Sequence, residues 1–97
     1  MTPGKSESQI QETLDILQEE CAEAIVEVSK CRIFGFDGIH YKTNISHRKH
    51  LEMELGDVLA MIDILVEQGV VTREGLDAAA ESKRQKLTEW SNIYGKD

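Results

Sequence analysis

Positive charge is scarce in this chain. Eleven Lys and Arg stand against eighteen Asp and Glu, giving a net charge of −7 and a sequence pI near 4.9. Such a surface repels a phosphate backbone, so nucleic acid is not an expected partner. Aromatic residues make up 5% and there is one proline, too few of either for a small β-sandwich with many turns. Long apolar runs are lacking too. The most apolar stretch, Val58 to Val66, is interrupted by Asp63 and is far too short to span a bilayer, so no membrane partner is expected. The segment from Met1 to Ser6 carries no apolar run after its charge, so no signal peptide is visible. Cys21 and Cys31 would lie about 15 Å apart on one helix, out of disulfide reach. Reduced thiols in a cytoplasmic protein are the expectation, and nothing suggests a zinc site.

Hydrophobic residues at 40% and charged ones at 30% describe a folded chain, and 97 residues make room for one domain, 1–97. Its patterning is helical throughout. Ile10, Leu14, Leu17, Cys21, Ala24 and Val28 recur at steps of four and three, which predicts a first helix over 6–32, capped by Ser6 or Ser8. Phe34-Gly35-Phe36-Asp37-Gly38 breaks the pattern and predicts a loop over 33–45, folded back on the body. Leu51, Leu55, Val58, Ile62 and Leu65 predict a second helix over 46–68, capped by Asn44 or Ser46 and closed by Gly69. Gly56 inside it costs about 1 kcal/mol relative to Ala and would let a neighbouring helix come close. Thr72 opens a third helix over 72–94, with Leu76, Ala80, Lys83, Leu87, Trp90 and Tyr94 on one stripe. The tail from Gly95 to Asp97 should fray. The fold class is all-α: three antiparallel helices whose broad stripes call for a bundle completed by oligomerisation.

The acids are unevenly placed. Glu20 and Glu23 share a helix face and flank Cys21 and Ala24 of the apolar stripe. Glu54 and Asp57 do the same beside Leu55 and Val58. Either pair alone reads as a solvated face. Packed antiparallel, however, the two helices would bring four carboxylates to one place, which is unfavourable without a cation. All-oxygen ligation suits a hard ion such as Mg²⁺, or Mn²⁺ in its stead.

Glu19-Glu20-Cys21-Ala22-Glu23, followed by Glu54-Leu55-Gly56-Asp57-Val58-Leu59, resembles the MazG-like all-α nucleoside triphosphate pyrophosphohydrolases, with their E-x-x-E pair on one helix and E-x-x-D pair on the next. Lys30, Arg32, Phe34-Gly35 and Thr43-Asn44-Ile45 also look like the shorter single-domain members found in phages and bacteria. The spacer between the pairs is longer than the family's commonest one, which affects the segment from Phe34 to His47 and the base pocket expected there. The resemblance implies Mg²⁺ held by Glu20, Glu23, Glu54 and Asp57, and attack of water on the α-phosphorus of a nucleoside triphosphate to give a monophosphate and pyrophosphate. It implies a homodimer or homotetramer in the cytoplasm of a bacterial cell or a phage-infected host. Glu19 matches a glutamate that orients or deprotonates water in some relatives, although it points about 100° from Glu20. A purine of the dGTP type is among the candidate bases.

For phosphate and base contacts the candidates are Lys83, Lys86, Lys30, Arg32, Phe36 and Asn44, each with a plainer alternative. Lys83 can snorkel over apolar surface, and Lys30, Arg32 and Lys86 can be solvated. Phe36 can anchor its loop, and Asn44 can serve as a cap. His47 and His50 share one face, a spacing that admits zinc, but no third ligand is near and ordinary surface positions are expected. Trp90 and Tyr94 read as core or oligomer contacts. A competing class, a non-enzymatic acidic helical module that binds another protein, accounts for the charge and the stripes but not for two acid pairs bordering the core.

Overall fold

Each helix begins and ends where the local chemistry says it should, with a few shifts. In the computed structural model, which describes residues 5–95, three α-helices follow one another without a strand among the described residues: α1 (Lys5–Phe34), α2 (His47–Glu67) and α3 (Arg73–Trp90). Ser46 caps α2, its hydroxyl accepting from the Lys49 N–H at 3.1 Å, and Thr72 caps α3 in the same way from Gly75 at 2.9 Å. Each such cap contributes about 1 kcal/mol. Asn44 is not the cap. It sits at φ 60°, a left-handed turn position that Asn tolerates. Gly69, at φ 74°, closes α2 as the spacing predicts, its N–H donating to the Val66 carbonyl.

Boundaries move at both ends of α1, which runs on to Phe34 instead of ending at residue 32, and at the end of α3. α1 is already helical at Lys5, so Ser8 lies inside it and caps nothing; the side chain of Ser6 lies outside the described residues, as do Lys96 and Asp97 of the tail. α3 stops at Trp90, with Ser91 in extended backbone as its cap, four residues short of the expected end. The serine hydroxyl accepts the Ile93 N–H and donates to the Leu87 carbonyl, turning the chain out of the helix.

α1 and α2 pack antiparallel. At one end the Gln68 amide donates to the Thr13 hydroxyl at 2.8 Å, and that hydroxyl donates to the Gln9 carbonyl. At the other end the Cys31 thiol reaches the His47 carbonyl at 3.4 Å. Between these ties the core is small: Ala24, Cys31 and Leu65 are its buried apolar side chains among the described residues. The expected α1 stripe is only half right. Ala24 is buried and Ile10 and Leu17 are half-buried, whereas Leu14, Cys21 and Val28 are exposed, because α2 covers the flank carrying Thr13, Ile16, Glu20 and Glu27 instead.

Within the single chain α1 and α2 pack together, and α3 stands largely apart from them. α3 has no buried residue, and Arg73 at its start is ion-paired with Asp63 of α2 at 2.6 Å. The Cα radius of gyration is 17.1 Å, against roughly 12 Å for a compact domain of this length. Gly56 faces open space: apart from the backbone of its own helix and its chain neighbours, nothing lies within 4 Å of where a Cβ would stand.

The loop between α1 and α2 is strapped to both helices. Gly35, at φ 84°, ends α1, and an isolated antiparallel bridge joins Ile39 to Ser46. The His47 and Arg48 N–H groups donate back to the Gly38 and Phe36 carbonyls, both at 2.9 Å. Gly38 is required by space: a Cβ there would stand 2.6 Å from the Phe34 carbonyl oxygen and 3.3 Å from the His47 ring.

Candidate functional site

Helical spacing puts Glu20, Glu23, Glu27, Lys30 and Phe34 along one side of α1, at steps of three and four. On α2 the residue between Leu51 and Val58 on the covered face is Glu54. The antiparallel packing therefore sets an acid from α2 directly against the acidic part of α1. Carboxylate oxygens of Glu20, Glu23 and Glu54 come within 4.8 Å of one another. Glu20 and Glu54 are half-buried, and each has a buried Oε2 without a hydrogen-bond partner. Asp57, an exposed side chain one turn on, falls outside that group of three but close enough to act on Glu54 electrostatically.

The consequence is visible on Glu54. Burial, a hydrogen bond to the Glu20 side chain and the nearby Glu23, Glu20 and Asp57 charges push its carboxyl up to about 7 from an ordinary 4.5. A carboxyl so placed holds a proton until a cation replaces it. Orphaned, buried oxygens in an all-carboxylate set fit a hard divalent ion such as Mg²⁺ or Mn²⁺.

The other candidates scatter. Glu19 borders a shallow exposed depression with Asp15, Gln18 and Ala22, set apart from the acid group by the turn of the helix. Lys83 and Lys86 are exposed on α3. Arg32 is exposed beside Ser29 and Ile33. Phe36 carries the Arg48 guanidinium 4.9 Å above its ring, and Arg48 also pairs with Asp37 at 3.3 Å, which is an anchoring arrangement for the loop. Asn44, exposed, donates its backbone N–H to the His40 carbonyl. Lys30 is the candidate that stays near the acids. Its ammonium lies 3.7 Å from Glu27, a half-buried carboxylate whose Oε2 is also buried and unpartnered.

Glu27 escaped the sequence reading although its spacing from Glu20 and Glu23 marks the same face. So did a cavity of about 330 Å³ at the end of α1, lined by Lys30, Phe34, Gly38, Ile39, His40, Tyr41 and His47. His47 is no surface residue: it is 4% exposed, and its ring stacks on Phe34 with centroids 5.2 Å apart. His50 accompanies it half-buried, its Nε2 2.6 Å from the Thr43 hydroxyl, and among the described residues the histidines form no metal-binding group. Trp90 and Tyr94 are exposed.

No curated protein and no solved structure matches the chain. The model of the MazG nucleotide pyrophosphohydrolase domain matches residues 8–89, a span that includes both acid pairs and all but the first and last turns of the helices. With most of its length matched and its acids facing one another across α1 and α2, the chain belongs to the MazG nucleotide pyrophosphohydrolase domain family.

Proposed function

We propose that this protein hydrolyses nucleoside triphosphates to a nucleoside monophosphate and pyrophosphate, with Mg²⁺ or Mn²⁺ held by Glu20, Glu23, Glu54 and Asp57. The observation that carries the reading is the pair of buried, unpartnered carboxylate oxygens on Glu20 and Glu54, set among acids that leave Glu54 half-protonated near neutrality. Membership of the family supplies the reaction class. A bound divalent ion offsets phosphate charge and makes water a better nucleophile at neutral pH.

The chain's own residues do the rest. Glu20 and Glu54 fix the site in the seam, while the more exposed Glu23 and Asp57 border it from the open side. Lys30, held by Glu27, supplies positive charge for a phosphate or sugar oxygen next to the acids. Glu19 has no such support from its position, and we leave it out of the reaction. Lys83 and Lys86 reach a phosphate only if another subunit brings α3 to the acids.

That subunit is part of the proposal. Ile25, Val26, Ile33, Met53, Leu59 and Trp90 are all exposed in the single chain. With three buried apolar side chains among the described residues, the single chain is thinly packed for a domain of this size, and a homodimer or homotetramer would cover these faces. The testing experiment is hydrolysis in water enriched in the heavy oxygen isotope. Label in the monophosphate supports attack at the α-phosphorus; label in pyrophosphate or orthophosphate contradicts it.

A further inference from the structure

We propose that His40 is a proton-operated latch on the loop between α1 and α2: neutral, it holds the loop shut, and protonated, it lets the loop go. The inference stands apart from the proposed hydrolysis and concerns how the cavity at the end of α1 is kept in being.

The bonds of the loop meet at His40. Its backbone N–H donates to the Ile45 carbonyl at 2.9 Å, and its carbonyl accepts the Asn44 N–H at 2.8 Å, closing a turn around Tyr41, Lys42 and Thr43. The ring adds a third bond inside that turn, Nδ1 accepting the Lys42 backbone N–H at 3.1 Å. An imidazole nitrogen accepts only while it carries no proton, so this bond belongs to the neutral ring with its proton on Nε2. Protonation turns Nδ1 into a donor that faces another donor.

The surroundings oppose a charge on the ring. From α2 the His50 and His47 rings approach to 5.4 Å and 5.9 Å, centroid to centroid. From α1 come Lys30 and Glu27, which are paired with each other at 3.7 Å. Within the loop Tyr41 stacks on His40 at 5.3 Å, and the Lys42 ammonium lies 5.6 Å from the centre of the Tyr41 ring. Glu27 is the one acid in this company. Partial burial, then Lys30, His50 and His47, hold His40 below the ordinary imidazole value of 6.5, against an opposing pull from Glu27. Closure is therefore complete above 6.5 and is lost as pH falls below it.

Release has a defined extent. The His47 and Arg48 N–H groups hold the Gly38 and Phe36 carbonyls without involving the His40 ring. His47 is 4% exposed, with its ring stacked on Phe34. Residues 39–45 are thus the part that moves, and they carry Ile39, His40 and Tyr41, one wall of the cavity, away from Lys30, Phe34 and His47. Acid opens the cavity from the loop side.

The test follows amide and histidine ring signals of the full-length protein by NMR from about pH 8 to about pH 5, the range in which imidazole titrates, with no metal or nucleotide added. The Lys42 and Asn44 amides should lose protection in step with the His40 ring, after correction for the intrinsic effect of pH on exchange. The His47 and Arg48 amides should stay protected. Two variants fix the cause. His40→Asn offers an oxygen to the N–H two residues on and takes up no proton, so the loop should stay shut throughout. His40→Phe keeps a ring for Tyr41 but has no acceptor, and protection of the Lys42 amide should fall about fivefold at neutral pH, the scale of one hydrogen bond. Loop amides that ignore the His40 titration, that keep their pH dependence in His40→Asn, or that are unaltered in His40→Phe would overturn the latch. So would simultaneous loss of the His47 and Arg48 amides, which marks general acid unfolding instead. None of these readings uses turnover, so the outcome stands whether or not the protein proves to be a hydrolase.

Discussion

Glu20 and Glu54 bring carboxylate oxygens within 4.8 Å of each other across the α1–α2 seam, and each has a buried Oε2 without a hydrogen-bond partner. Two ionised carboxylates so close repel each other, and a proton or a cation between them relieves that repulsion. The seam of this small fold therefore favours a proton or a cation among its acids.

The first prediction concerns pH. Glu54 titrates at about 7 in the folded chain and near 4.5 otherwise, so the folded state binds the proton more tightly. For a carboxyl with a raised value the stabilisation is complete below the unfolded value, near 4.5, and is lost as pH rises through about 7. Thermal melts in chelator should show the metal-free protein losing stability from about pH 5 to about pH 8, and Glu54→Gln should flatten that slope.

A second prediction separates structural from functional acids. Glu54→Gln and Asp57→Asn should each lower pyrophosphate release more than about 100-fold, since losing even an outer partner of a metal ligand costs 10–100-fold. The same variants should be as stable as the parent, or more so, in chelator above neutrality, because they remove like-charge repulsion. Paired activity assays and melts check both halves.

Gly38 gives a third. A methyl group there meets the Phe34 carbonyl oxygen at 2.6 Å, so Gly38→Ala must displace the loop or the end of α1. A loss of about 1–3 kcal/mol is expected from such overpacking, seen as a lower melting temperature together with disturbed His47 ring signals.

Assembly is the fourth. The chain weighs 10.9 kDa, and light scattering should give a mass two or four times that. Ile25→Glu or Leu59→Glu, each placing a charge on an apolar side chain exposed in the single chain, should reduce the mass toward the monomer and destabilise the fold. Unchanged mass in both variants would place the interface elsewhere.

Much of this architecture was legible from residue spacing. Three helices, the Thr72 and Gly69 signals and the facing of Glu20 and Glu23 toward Glu54 all follow from periodicity and capping chemistry. What periodicity does not carry is which flank of a broad stripe meets which neighbour. Leu14, Cys21 and Val28 belong to the α1 pattern as plainly as Ala24 does, yet α2 covers the flank with Thr13 and Glu27. The cavity was hidden for a different reason. Phe34, His40, Tyr41 and His47 are brought together by a loop whose course depends on Gly35 and Asn44 in left-handed backbone and on the Ile39–Ser46 bridge, contacts between residues with no repeating pattern. The end of α3 at Trp90 turns on the Ser91 hydroxyl and its local bonds, a competition too close to read from propensity.

The most direct test of the central claim is a calorimetric titration of Mn²⁺ or Mg²⁺ into metal-free protein at neutral pH, repeated in buffers of different ionisation enthalpy. Binding accompanied by proton release, with both lost in Glu54→Gln, is the result expected if the acids of α1 and α2 hold a divalent ion in place of the Glu54 proton. Binding that is absent, or that persists unchanged in Glu54→Gln with no proton released, would contradict it.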